Sequence, residues 1–364
     1  MREMILCKLG EVVLKGLNRR SFEDKLIGNL RRRTAKCGSF RIYSKQSTIY
    51  VEPVNDESNL AAAYAACKQV FGVIAVSRAL PCEKDVQAII RTAKVTAKIL
   101  DAAPKLKIIA RHGAGYDGVN LEAARRHNVL VCTAGGSNAI SVAELTIFYM
   151  LYCSRNFKKV QNLYLTDYRQ AKMGIPKTEL EGKTLGLVGL GHIGKLVAKK
   201  AALGFNMTVL AFDPFAQKEG LPEYIQLVEN RDEIFAKSDY VSLHVPATPE
   251  TIHSVSDREF DLMKDTAYLI NAARGSIVDE PALIRALQEG KIAGAGLDTV
   301  EQEPIDPKNP LVAMDNVLTA PHIGGATKEA SSRSSVACAQ AIDDFFSGRT
   351  PKFVVPELRD LIQK

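Results

Sequence analysis

Short alternating runs and one helical stripe fill the first eighty residues. MILCKLGEVVL (residues 4–14) reads as a strand, and residues 18–36 read as a helix because Phe22, Leu26, Ile27 and Leu30 recur at helical spacing. FRIYS and TIYVEP alternate apolar and polar positions around Lys45-Gln46, which marks a hairpin; LAAAYAACKQVF is helical again, and GVIAVSRAL returns to strand. The order β-α-β-β-α-β predicts a ferredoxin-like α+β domain. From Lys183 the pattern changes to six apolar strands, TLGLVGLG, MTVLAFD, YVSLHV, AYLINAA, GAGLDTV and NVLTAP, separated by helical segments. That alternation predicts α/β architecture, a Rossmann-type doubly wound parallel sheet. Between the two blocks, residues 85–100 suit either of two forms. Val86, Ile89, Ile90, Ala93 and Ala97 fit one long helix, and QAIIR fits a strand.

The first strand of the second block runs into Gly189-Leu190-Gly191-His192-Ile193-Gly194, which opens a helix and is followed by Asp213 about 20 residues on. Strand, glycine loop, helix and distal acid together form a dinucleotide fingerprint; a glycine turn that merely fits a βα corner is the bland alternative. Gly189 would permit the tight turn, Gly191 would admit a pyrophosphate to the backbone, and Gly194 would let helix and strand pack closely. The helix N-terminus offers unpaired N–H groups to the anion. Asp213 can accept from ribose hydroxyls and would repel a 2′-phosphate, so the expected cofactor is NAD. Three later segments, NAARGSIVDEPAL, GLDTVEQEP and APHIGG, each put a polar residue at the carboxyl end of a strand, where such sheets bind ligands. Arg274 is a fork-shaped donor suited to a carboxylate or a polarised carbonyl. His322 can exchange a proton near neutrality, and Glu303 could hold its ring.

With LKIIARHGAGYDGVNLEAARRHNVLVCTAGGSNAISVAELTIFYML, these motifs make residues from about 86 to 356 resemble the D-isomer-specific 2-hydroxyacid dehydrogenases of the phosphoglycerate dehydrogenase-like group. The resemblance implies Arg274, Glu303 and His322 as catalytic residues, and substrate carboxylate at the backbone of His112, Gly113, Ala114 and Gly115. It puts Asn138, Ser141 and Asp298 near the nicotinamide, His244, Val245 and Pro246 along the adenosine, and Ala272 beside the cofactor. It also implies a homodimer formed through the cofactor domain, and makes AIDDFFSGRTPKFVVPE the family's returning C-terminal helix and end. The first part of that family's flavodoxin-like substrate domain has no counterpart here. A different resemblance occupies its place. LGEVVLKGLNRRSFEDKLIGNLRRR and VFGVIAVSRAL, within residues 1–92, are similar to the N-terminal ferredoxin-like domain of the ThiI tRNA sulfurtransferases, which holds tRNA with an adjoining domain. The remaining ThiI machinery has no counterpart, so thiolation is not expected.

Charge sharpens this division. The net charge is +7, yet residues 1–94 hold 17 Lys/Arg against 9 Asp/Glu, and residues 95–364 hold 31 against 32. The whole excess is N-terminal, much of it in Arg19, Arg20, Arg31, Arg32 and Arg33, mostly off the helix's apolar stripe. Such a face can attract RNA phosphates, or it can simply be solvated. Seven scattered cysteines without CxxC spacing argue against a zinc site and a disulfide framework, and no metal is expected. No apolar run approaches the roughly 20 residues of a membrane span, and the N-terminus lacks signal-peptide character, so the expected location is cytoplasmic.

The 364 residues therefore read as a chimera. Residues 1–80 form the ThiI-type domain, residues 81–155 a truncated substrate domain completed by 327–364, and residues 156–326 the NAD-binding domain. The first functional reading is an NAD-dependent oxidoreductase of a small D-2-hydroxy acid, with activity open to impairment by the truncation. The alternative is a non-catalytic fusion that binds NAD and tRNA.

Overall fold

The computed structural model describes residues 4–9, 19–45, 48–70, 73–79, 94–103 and 105–363, and divides into two compact units, Met1–Ile89 and Ile90–Lys364. In the first unit β1 (Met4–Leu9), β2 (Phe40–Lys45), β3 (Thr48–Pro53) and β4 (Val73–Ala79) form an antiparallel sheet in the order β2-β3-β1-β4. This is the ferredoxin-like plan. Ile5, Cys7, Ile42, Ile49 and Val51 face the helices, and Leu26, Leu30, Ala63 and Cys67 close the core from the other side. The helix expected over residues 18–36 spans Arg19–Thr34. It ends where Thr34 Oγ1 bonds back to Leu30 O at 2.9 Å, and a single 3-10 turn, Ala35–Cys37, follows. Leu26 and Leu30 of the predicted stripe are buried; the Phe22 side chain lies outside the described residues. So do residues 10–14 of the first expected strand and the hairpin turn at residues 46–47.

The second unit opens with Val95, which bridges to Val119 in parallel fashion, before the short helix Ala97–Asp101. Val95 N–H donates to Gly118 O and Val95 O accepts from Asn120 N–H, at 2.7 and 2.9 Å. A continuous helix through this point is therefore excluded, and residues 85–93 of that reading lie outside the described residues. Next, β5 (Ile108–Arg111) and β6 (Leu130–Thr133) pair in parallel, and Val354 bridges to Cys132. The helix Lys328–Phe346, capped by Thr327 Oγ1 on Ala330 N–H at 3.1 Å, packs on β5.

The rest of this unit is one parallel sheet of seven strands: β7 (Thr184–Val188), β8 (Thr208–Phe212), β9 (Ile225–Leu227), β10 (Tyr240–Leu243), β11 (Tyr268–Asn271), β12 (Gly294–Leu297) and β13 (Val317–Thr319). Their order is β13-β12-β11-β10-β7-β8-β9, reversing direction at β7 as in a doubly wound sheet. The sequence pattern predicts six of these. β9 is the seventh, a three-residue edge strand with only Ile225 buried and the exposed Gln226 breaking its apolar run. The helix Ala139–Ser154 lies against β11 and β12, close enough that a Cβ on Gly296 would sit 2.8 Å from the Tyr149 ring. No described helix is long and apolar enough to cross a membrane. Six described cysteines are free thiols, and Cys82 lies outside the described residues.

Candidate active site

Parallel pairing turns the carboxyl ends of all seven strands to one side, and the loops leaving them carry most of the residues singled out above. After β7, Gly189 stands at φ 98° with no room for a side chain, since a Cβ would lie 2.6 Å from His244 O. A Cβ on Gly194 would lie 2.3 Å from Gly189 O, so helix His192–Phe205 packs tightly on the turn. Gly191 precedes that helix, and beside it a Cβ would meet nothing within 4 Å. The His192 ring rests against Gly136, and Ile193 is half-buried in the same first turn. Asp213, just past β8, accepts from Leu190 N–H at 2.8 Å and from Phe215 N–H at 2.9 Å, which ties the acid to the glycine turn.

After β10, His244 lies within hydrogen-bond distance of Ser242 Oγ (2.9 Å at Nε2), and burial holds its imidazole down to about 4. Val245 packs on Gly189, and the Pro246 carbonyl accepts from Thr251 Oγ1 at 2.6 Å. After β11, Ala272 is buried and Asn271 shapes the turn: its Oδ1 accepts from Ala273 N–H (3.1 Å) and its Nδ2 donates to Arg274 O (2.8 Å). Arg274 donates from Nε and Nη2 to Asp117 Oδ2, at 3.1 and 3.0 Å, and from Nη1 to Ala273 O at 2.7 Å. One N–H remains on each terminal nitrogen. A Cβ on Gly115 would lie 2.1 Å from Arg274 Nη2, so the 112–115 loop meets the guanidinium directly. In that loop Gly113 stands at φ 117° and its carbonyl accepts from Ala134 N–H at 2.9 Å; Ala114 is exposed. His112 Nε2 lies 3.1 Å from Ser331 O on the C-terminal helix.

His322 follows β13 with its backbone in the left-handed region, at φ 54°. Its N–H donates to Asp298 O at 2.8 Å, and its Nδ1 lies 3.0 Å from Glu303 Oε2. Both side chains are about two-fifths exposed, open to an incoming molecule. The buried Asp298 carboxylate accepts from Ile323 N–H and Gly324 N–H, each at 2.8 Å. Burial pushes its carboxyl up, opposed by those two amides. Ser141 Oγ is likewise engaged, 2.8 Å from Thr327 Oγ1. Asn138 Oδ1 is buried without a hydrogen-bond partner among the described residues, and its Nδ2 would lie 3.0 Å from a Cβ on Gly325. An orphaned amide oxygen, an open helix N-terminus and an acid at the end of the second strand fit a dinucleotide.

Asp117 is the neighbour that the sequence pattern does not single out. A lone aspartate after a glycine pair carries no spacing signal, and only folding brings it to Arg274. In the first unit, Arg31, Arg32 and Arg33 are exposed on the last helical turn and donate to neutral acceptors, Ile42 O (3.3 Å), Asn29 Oδ1 and Gln69 Oε1 (3.4 Å). Arg19 and Arg20 open the same helix. Among the described residues no three His, Cys, Asp or Glu side chains gather as metal ligands would.

The NAD binding domain of the D-isomer-specific 2-hydroxyacid dehydrogenases matches residues 147–324, and the ThiI ferredoxin-like domain matches residues 4–77. The chain is 40% identical to the D-3-phosphoglycerate dehydrogenase of Methanocaldococcus jannaschii, over 75% of this chain and 52% of that one. It is also 40% identical to the hydroxypyruvate reductase of Thermotoga maritima, over 71% of this chain and 84% of that one. Among solved structures, the NAD complex of the NAD-dependent formate dehydrogenase from Staphylococcus aureus is 33% identical with a TM-score of 0.63, covering 70% of this chain and 76% of that one. The chain spans about half the length of the archaeal phosphoglycerate dehydrogenases it matches. A ThiI-type ferredoxin-like domain thus precedes an NAD-binding Rossmann domain, and the chain belongs to the D-isomer-specific 2-hydroxyacid dehydrogenase family.

Proposed function

We propose that the protein is an NAD-dependent oxidoreductase that interconverts a small D-2-hydroxy acid and its 2-oxo acid. The observation that carries this reading is the pairing of His322 Nδ1 with Glu303 at 3.0 Å, on loops that follow β13 and β12, with Arg274 after the neighbouring β11. Gly189, Gly191, His192, Ile193 and Gly194 would hold the pyrophosphate and Asp213 the ribose. His244, Val245 and Pro246 would line the adenosine, and Ala272, Ser141, Asn138 and Asp298 the nicotinamide side. When bound, NAD supplies the hydride acceptor, and in its reduced form the donor. With Nδ1 engaged by Glu303, His322 exchanges the hydroxyl proton through Nε2, and the Glu303 carboxylate stabilises the imidazolium. Arg274 draws on its remaining N–H groups to orient the carbonyl. The backbone of residues 112–115, lying against Arg274, receives the carboxylate.

In this reading residues 1–80 are an appended module, residues 81–155 with 327–364 form a shortened substrate domain, and residues 156–326 bind the cofactor. Exposed Phe157, Tyr164, Leu165, Tyr168 and Met173 support a homodimer through the cofactor domain. The free thiols suit the reducing cytoplasm. The exposed Arg31, Arg32 and Arg33 favour a second reading, in which the protein holds NAD and RNA without turnover.

NADH oxidation with hydroxypyruvate, glyoxylate and pyruvate, run beside a tRNA gel shift, separates the two. Turnover is expected, and His322→Ala or Arg274→Ala should lower it by about 10²–10⁴-fold with NADH affinity nearly intact. Full activity in the His322 variant would remove the proton-transfer role. NADH and tRNA binding without turnover would establish the second reading instead.

A further inference from the structure

The loops that leave β10, β11 and β12 meet on a side-chain pair that has no part in the chemistry above. His253 occupies the turn after β10, with its backbone in the left-handed region at φ 51°. Its N–H donates to Ser276 O at 2.8 Å, Val255 N–H donates to Ile277 O at 3.2 Å, and Asp279 N–H donates to Val255 O at 2.9 Å. Residues 253–255 are thereby laced to the segment directly after Arg274. The ring reaches the third loop, where Nε2 lies 2.7 Å from Glu301 Oε1, two residues before Glu303. Glu301 is braced from its other side as well: its N–H donates to Glu280 Oε2 at 3.1 Å, and Glu280 Oε1 accepts from Asn309 Nδ2 at 2.6 Å. Amid these bonds Gly275 presses on the Val300–Glu301 peptide so closely that a Cβ would lie 1.9 Å from Val300 O. Asp279, whose carboxyl is held low mainly by the Ala282 N–H, is a second acid near enough to interact electrostatically with His253.

The two side chains are 46% and 34% exposed, and a pair this open adds little to global stability. Its consequence lies in register. The Arg274 loop and the Glu303 loop must hold their functional groups within about 0.5 Å of the productive geometry, and here one residue reaches both, His253 by its backbone N–H to Ser276 O and by its ring to Glu301. We propose that His253 and Glu301 form a clamp that keeps these two loops in register. Both are then positioning residues for the oxidoreduction proposed above, on which the kinetic half of this inference rests.

Hydrogen exchange read by mass spectrometry tests the clamp without any need for turnover, and steady-state kinetics tests its use. His253→Asn keeps a residue suited to the left-handed turn but too short to reach Glu301. Glu301→Ala deletes the carboxylate, and Glu301→Gln keeps an acceptor oxygen at the same length. In His253→Asn and Glu301→Ala, peptides covering residues 275–279 and 300–304 should exchange several-fold faster, while Glu301→Gln stays near the unmutated rate. With a 2-oxo acid and NADH, kcat should fall about tenfold in the first two variants and recover in Glu301→Gln, with NADH Kd changed less than twofold. Unchanged exchange in both loops overturns the clamp, whether or not the chain turns over. Faster exchange with unchanged kcat overturns the positioning role. An unmutated chain without turnover on any 2-oxo acid sinks the proposed activity, and exchange alone then decides the clamp, for it if faster and against it if not.

Discussion

His244 shows how a side chain can serve a site through its neutrality. Its imidazole is held down to about 4, whereas an unfolded histidine titrates near 6.5. As pH falls through that window the unfolded chain takes up the proton first. The associated stability is therefore complete above about pH 6.5 and is lost as pH falls toward 4, by at most about 3 kcal/mol given that the residue is only partly buried. His244→Gln should flatten the dependence of Tm on pH between those limits. A variant whose Tm falls as steeply as that of the unmutated protein would show that another group sets the acid limb. The same residue fixes the glycine loop sterically through its carbonyl against Gly189, so one position links acid stability to the cofactor turn.

At the scale of elements, the sheet and its loops were legible in the sequence to different depths. Six parallel strands and the ferredoxin-like order follow from apolar runs and alternation, because five of the six bury three or four residues each and β13 carries an unbroken apolar pair. β9 escapes that reasoning because the exposed Gln226 interrupts its three residues, whereas the equally short β13 keeps Val317 and Leu318 side by side. The break at Val95 escapes it because Val, Ala and Ile satisfy both periods, and hydrogen bonds to Gly118 and Asn120, distant in sequence, decide the outcome. In the candidate site, the places of Arg274, Glu303 and His322 beyond the ends of β11, β12 and β13 were legible from the sequence. Asp117 and the His253–Glu301 pair were not, because their partners lie in other loops. Gly275 marks the tightest of these loop approaches. Gly275→Ala would set a methyl group against the Val300 carbonyl, and since backbone must move, it should destabilise by about 1–3 kcal/mol and depress turnover more than NADH affinity. A denaturation midpoint equal to that of the unmutated protein would show that the loops yield freely.

Across the whole molecule, charge and chemistry are divided between the units. Residues 1–94 carry the entire positive excess, and residues 95–364 are nearly balanced. If the second reading holds, RNA affinity belongs to the first unit, and neutralising Arg31, Arg32 and Arg33 should weaken it and flatten its salt dependence, by about 0.9 log unit per log unit of salt for each duplex phosphate that the variant no longer neutralises. Binding with an unchanged salt slope would leave the three arginines as a solvated face. The order of the large sheet has a kinetic corollary. β7, β8 and β9 pair in sequence order, as do β10, β11, β12 and β13, and only the pairing of β10 with β7 reaches across β8, β9 and the helix Asp232–Lys237. Closure entropy grows with the length of chain between partners, so the β7–β10 pairing is the costliest in this sheet to close. The half of the sheet that would grip the dinucleotide and the half that would do chemistry thus share one long-range seam, and a ligand lying across the turns after β7 and β10 would act as a staple between them.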